Sequence, residues 1–142
     1  MDEYITLLLG NPLFSDTGYD EYEIKPRRSI RLYDIPVAAG TGMFLDSDSY
    51  EIIEADDTVP LEADYVVRAS GDSMEPRFVD KQIIFAKEQR TLDEGEIGIF
   101  VINGDSYLKK LGRGMLISLN PNYKPIRIRE NDSFYICGKV VG

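Results

Sequence analysis

From Ser29 onward the chain is a succession of short apolar runs rich in Ile, Val, Tyr and Phe, each stopped by Gly, Asp, Asn or Pro. Runs of roughly four to eight residues punctuated in this way are too short for stable helices and are the pattern of β-strands. The expected strands cover 29–37, 50–53, 65–69, 82–86, 97–102, 107–111, 115–119 and 134–141. Asn103-Gly104 supplies the positive φ angles of a tight hairpin, and Gly112-Arg113-Gly114 marks a second turn. Residues 1–28 differ: Asn11-Pro12, Asp16-Thr17-Gly18 and Lys25-Pro26 interrupt any periodicity and leave room for at most one short helix over 2–9. The expected organisation is a leader or interdomain linker over 1–28 and one domain over 29–142. That domain should be mainly β, with twisted antiparallel strands and little helix.

Composition narrows the chemistry. With 142 residues, 43% of them hydrophobic, the chain suits a single domain with its own core. It contains no histidine, so a hydrolase built from it has no Ser-His-Asp triad and must activate a nucleophile with lysine, a carboxylate or a terminal amine. The lone Cys137 excludes an internal disulfide and a cysteine metal cluster, and reads as a small buried filler. No run approaches the roughly 18 apolar residues of a membrane span, and Ile5 to Leu9 lacks the basic lead-in of a secretory signal, so a cytoplasmic protein is expected. A net charge of −9 disfavours a grip on the phosphate backbone. The one basic cluster, Lys25, Arg27, Arg28 and Arg31 around Pro26, reads as a solvated connector. Asp46-Ser47-Asp48-Ser49 with Glu54, Asp56 and Asp57 lacks the glycine and terminal glutamate of a calcium loop and reads as a solvated acidic loop, so no metal or cofactor is expected.

Three segments carry candidate chemistry. In Val66-Val67-Arg68-Ala69-Ser70-Gly71-Asp72-Ser73-Met74-Glu75-Pro76 a strand runs into a turn that exposes the Ser73 hydroxyl beside backbone N–H groups, and Pro76 can open a short helix. Taken alone, Gly-Asp-Ser is simply a good turn. In Ser106-Tyr107-Leu108-Lys109-Lys110-Leu111, the second arm of the Asn-Gly hairpin, alternation sets Tyr107, Lys109 and Leu111 on one face and turns Lys110 toward solvent. A lysine among apolar neighbours loses affinity for its proton, which is how it becomes a base near neutral pH. In Ile35-Pro36-Val37-Ala38-Ala39-Gly40-Thr41-Gly42 an apolar strand runs into small residues and glycines, which let a main chain enter a narrow cleft; a plain β-turn is the simpler reading.

Together these segments resemble the LexA, phage-repressor and UmuD family of self-cleaving peptidases over about residues 30–142. Ser70-Gly71-Asp72-Ser73-Met74-Glu75-Pro76 is similar to the family's nucleophile box and Leu108-Lys109-Lys110-Leu111 to its base-bearing strand. Val37-Ala38-Ala39-Gly40 is similar to its Ala-Gly cleavage site, and Asn120-Pro121-Asn122-Tyr123-Lys124-Pro125-Ile126 to the segment after the lysine strand. The resemblance implies a LexA-like C-terminal domain acting as a serine peptidase on itself. Ser73 would be the nucleophile, Lys109 the base, the N–H groups of Asp72 and Ser73 the oxyanion donors, and Ala39-Gly40 the bond cut. It also implies a homodimer, formed through 134–141, and stimulation by a RecA filament on single-stranded DNA during the SOS response to DNA damage. DNA would be held by a helix-turn-helix domain that this chain does not include. The alternatives are a UmuD-like polymerase accessory protein and a catalytically silent dimerisation module; a signal-peptidase-like enzyme shares the serine/lysine chemistry but needs a membrane anchor and an exposed apolar surface that the sequence does not offer.

Overall fold

The computed structural model describes residues 28–35 and 50–142. The leader with its possible helix, Lys25 and Arg27, the Ala39-Gly40 pair and the Asp46-Ser47-Asp48-Ser49 loop lie outside the described residues. What is described is mainly β, with no helix. Nine strands follow one another: β1 (Arg28–Asp34), β2 (Glu51–Ala55), β3 (Tyr65–Arg68), β4 (Ile83–Lys87), β5 (Ile97–Ile102), β6 (Asp105–Gly112), β7 (Met115–Ile117), β8 (Ile126–Arg127) and β9 (Phe134–Val141). They form one sheet in the order β2-β1-β3-β4-β9-β5-β6-β7-β8. Every neighbouring pair is antiparallel except β1 and β3, which run parallel from Arg31↔Tyr65 to Asp34↔Arg68.

Strand formation follows the apolar pattern, but the longest runs are buried on both faces. β5 is buried throughout. Alternation sends its Ile97, Ile99 and Val101 into the largest core cluster and its Phe100 and Ile102 into another, where Phe100 stacks on Phe134 at 5.9 Å between ring centroids. β3 divides in the same way: Tyr65 and Val67 enter the large cluster, and Val66 packs with Ile30, Leu32 and Ala63. An uninterrupted apolar run here marks a strand with a cluster on each side.

Local expectations meet three corrections. The Asn103-Gly104 hairpin forms as expected, with φ of 50° and 91° and β5 and β6 paired up to Ile102↔Asp105. Pro76, however, opens no helix. Residues 71–78 are turns and bends, with single bonds from Glu75 N–H to Asp72 O (3.2 Å) and Phe78 N–H to Met74 O (3.0 Å), and the Glu75-Pro76 peptide is cis. Arg28 and Arg31 are not part of a solvated connector but belong to β1. The Arg28 guanidinium donates to the carbonyls of Leu61, Pro60 and Ala63 at 3.0–3.2 Å, and Arg31 lies over the Tyr50 ring at 4.3 Å. β8 was not expected, because two residues after a proline carry no alternation to read.

One glycine marks a close approach in the middle of the sheet. A Cβ on Gly138 would press on the Tyr65 hydroxyl and stand 2.8 Å from the Lys87 carbonyl. That hydroxyl donates to the buried Cys137 carbonyl at 2.9 Å. Gly138→Ala is therefore expected to overpack the joint between β4, β5 and β9 and to lower stability by about 2 kcal/mol. Urea titration checks this: the midpoint should fall with the slope unchanged.

Candidate active site

The turn after β3 is built to hold one hydroxyl in place. The β3–β4 ladder continues one step beyond the strands, through bonds from Ala69 N–H to Gln82 O (2.9 Å) and Lys81 N–H to Ala69 O (2.8 Å). The chain then reverses at Gly71, whose φ of 85° suits glycine and whose N–H donates to the Asp80 carboxylate at 2.8 Å. Beyond Ser73 the side chains of Met74 and Phe78 are buried in the large core cluster and pin the far side of the turn. Ser73, half-buried, lies between these anchors.

Lys109 reaches Ser73 from β6. Its Nζ lies 2.7 Å from Ser73 Oγ, so residues far apart in sequence meet in one hydrogen bond. The side chain is only 6% exposed, and among the described residues no carboxylate lies within ion-pair distance of it. Burial lowers its proton affinity below that of an ordinary lysine, with no counter-charge to restore it. The Tyr123 ring centroid lies 5.8 Å from Nζ. As an ammonium the amine donates to Oγ; once neutral, its lone pair can take the hydroxyl proton across the same short distance. Lys110, expected in solvent, is half-buried.

A cleft of about 490 Å³ opens over this pair. Ile35, Ala69, Met74, Phe78 and Leu108 supply apolar wall, and Ser73, Lys109 and the buried Ser118 supply polar atoms. Among the described residues no three His, Cys, Asp or Glu stand together as metal ligands.

The structure thus brings Asp72, Ser73 and Lys109 to one place, whereas Ala39 and Gly40 are outside the described residues. It also adds residues to which sequence reasoning gave no role. Asn120 N–H donates to Ser73 O at 2.9 Å, Asn120 Nδ2 donates to Asp72 O at 3.0 Å, and the Tyr123 hydroxyl donates to the Asp72 carboxylate. The available signal was the Asn120-Pro121-Asn122-Tyr123 string itself, whose Asx turn is of the kind that presents a side-chain amide.

The buried amine has a consequence for stability. Its folded-state pKa lies below its unfolded one, so between the two the unfolded chain binds more protons and stability rises with pH. Lys109→Met, which removes the desolvated amine, is expected to be more stable than the parent at neutral pH, with the gap narrowing toward the ordinary lysine range of about 10.4. Thermal midpoints of both proteins across that range test it; a gap independent of pH would mean that the amine is not desolvated.

Comparison with known proteins converges on the same region. Residues 31–141 match the family described as Peptidase S24-like. The LexA repressor of Acetivibrio thermocellus is 35% identical over 99 residues, covering 61% of this chain and 46% of that protein. The LexA repressor of Oleidesulfovibrio alaskensis is 31% identical over 112 residues, covering 75% and 54%, and LexA repressor 2 of Geobacter sulfurreducens is 29% identical over 112, covering 75% and 55%. The chain spans about half the length of these relatives. With most of its length inside the family match and a serine and a buried lysine in contact at the cleft, the chain belongs to the Peptidase S24-like family.

Proposed function

We propose that this chain is the self-cleaving domain of a LexA-like repressor, a serine peptidase that cuts its own Ala39-Gly40 bond and so inactivates the repressor in the response to DNA damage. The observation that carries the reading is the 2.7 Å contact between the buried Lys109 amine and Ser73 Oγ. Neutral Lys109 takes the Ser73 proton as Oγ attacks the Ala39 carbonyl carbon. The N–H groups of Asp72 and Ser73 hold the developing oxyanion, and donors of this kind contribute about 3 kcal/mol each. Collapse breaks the Ala39–Gly40 bond, and Lys109 passes its proton to the Gly40 nitrogen. Water, deprotonated by Lys109, then releases residues 1–39 from the Ser73 ester.

The reading requires Ala39 to reach Ser73 in the same chain, and the tether is short enough. Ile35 lines the cleft, and the four residues from there to Ala39 span at most about 14 Å. The rate is then set by how often this segment occupies the cleft, which is where a RecA filament on single-stranded DNA would act. Homodimerisation fits the part of β9 that β4 does not reach: β5 pairs with it from Phe134 to Lys139, but β4 pairs only with Lys139, Val140 and Val141. DNA binding in such a repressor belongs to a helix-turn-helix domain, and the cytoplasm is the compartment it occupies. Among the described residues no helix is long and apolar enough to cross a membrane.

Intact mass followed over time at neutral pH and at about pH 10, where more Lys109 is neutral, tests the proposal. The expected products end at Ala39 and begin at Gly40, appear faster in alkali, and are absent from Ser73→Ala and Lys109→Ala. A chain that stays whole under all these conditions, including with RecA filaments added, would leave a dimerisation module in place of a peptidase.

A further inference from the structure

Asn120 is outside the residues lining the cleft, yet it bonds both peptide carbonyls that flank the Ser73 turn. Its side-chain oxygen accepts the Asn122 N–H at 3.0 Å, which commits the Nδ2 end to the Asp72 carbonyl at 3.0 Å. The same carbonyl accepts Glu75 N–H at 3.2 Å, so two donors fix its direction. The Asp72–Ser73 peptide is trans, since the one cis bond among the described residues is Glu75-Pro76. In a planar trans peptide the C=O and N–H point opposite ways. Drawing the Asp72 carbonyl toward Asn120 therefore turns the Ser73 N–H away from Asn120. The backbone bond from Asn120 N–H to the Ser73 carbonyl, at 2.9 Å, holds the next peptide plane by the same side. Among the described residues the Ser73 N–H has no acceptor.

We propose that Asn120 is a positioning residue for the reaction: by holding the Asp72 and Ser73 carbonyls behind the turn, it aims the Ser73 N–H at the oxyanion. The proposal rests on the peptidase reading above and adds to it a residue that touches neither the substrate nor the dyad side chains. Asn120→Asp is the discriminating change. It keeps the shape and the acceptor for Asn122 N–H but sets a carboxylate oxygen against the Asp72 carbonyl, so the peptide plane is no longer held.

Two rates are read in the parent, in Asn120→Asp and in Asn103→Ala: self-cleavage as a function of pH, and covalent labelling of Ser73 by a fluorophosphonate, whose phosphoryl oxygen occupies the oxyanion position. Asn103→Ala is the stability control. It removes two side-chain bonds of the same kind, to Asp132 and to Ser133 N–H, in the distant hairpin. On the alkaline plateau, where Lys109 is neutral in both proteins, Asn120→Asp is expected to lower both rates about a hundredfold, the cost of losing one oxyanion donor rather than the base. Asn103→Ala should lower the thermal midpoint and leave both rates within about twofold. The proposal is overturned if Asn120→Asp cleaves and labels nearly as fast as the parent on that plateau, or if Asn103→Ala loses as much rate. A parent that labels without cleaving defeats the self-cleavage reading alone, because labelling still decides the role of Asn120. A parent that does neither defeats both.

Discussion

The parallel pairing of β1 on β3 is the constraint on which the rest of the site depends. Antiparallel neighbours can be joined by tight turns, so a chain of short strands tends to place consecutive segments at opposite ends of a sheet. Here the register from Arg31↔Tyr65 to Asp34↔Arg68 makes two strands leave the sheet at the same end. Ile35 continues past β1 and bonds through its N–H to the Arg68 carbonyl at 3.0 Å, while the chain beyond β3 enters the Ser73 turn. The segment holding Ala39-Gly40 and the turn holding Ser73 thus start side by side. Arg68 braces that end by pairing with Asp34 at 2.6 Å and Glu51 at 3.7 Å, although such exposed pairs add little free energy. Parallel backbone pairing, in two strands with buried faces, is what holds the geometry.

Onto that end the sheet brings a lysine from the other side of the molecule. Four strands lie between β1 and β6 in the sheet order, so only a strongly curved sheet lets Lys109 meet Ser73. The core agrees with that curvature: Leu108 of β6 shares a cluster with Tyr33 and Ile35 of the first strand region. The packing that closes the sheet also takes the amine out of water. A surface lysine would be charged and useless as a base; this one is disfavoured as an ammonium by the same burial that secures the fold. Stability is given up at one residue, which leaves a chain without histidine with a lysine of lowered proton affinity.

Some of this was legible in the sequence and some was not, and the dividing line is range. The Asn103-Gly104 hairpin, the strands either side of it and the placement of Lys109 among apolar neighbours all follow from local alternation and turn chemistry. They appear in the structure with shifts of one or two residues at the ends. The contact between Ser73 and Lys109 was reached through resemblance, because nothing in a period-two pattern says which distant strands meet. The parallel pair, the interior position of β9 and the two-residue β8 depend on the same non-local choice. Lys110 was misjudged because alternation assumes one wet face, whereas β6 has apolar clusters on both sides. Arg28 was misjudged because a basic cluster looks solvated until the carbonyls of Pro60, Leu61 and Ala63 are placed against it, whereas Arg31 does stay exposed, on a strand rather than a connector. Asn120 escaped because its partners are main-chain carbonyls, which no side-chain motif reveals.

Closure of residues 36–49 has an energetic side as well. Ile35 is in the large core cluster, and Tyr50 packs against that cluster with its ring 5.7 Å from that of Tyr33. The two ends of the intervening segment are therefore held together by the core whether or not the segment enters the cleft. Loop closure costs entropy that grows only slowly with length, and here the fold has already met that cost. Under the proposed self-cleavage, what would hold Ala39 at Ser73 is the apolar contact that Ile35, Ala69, Met74, Phe78 and Leu108 offer in the cleft. A partner would favour that docking only through a differential affinity for the docked segment. In the proposed self-cleavage the nucleophile and base are already in contact, so occupancy of the cleft would govern the cut.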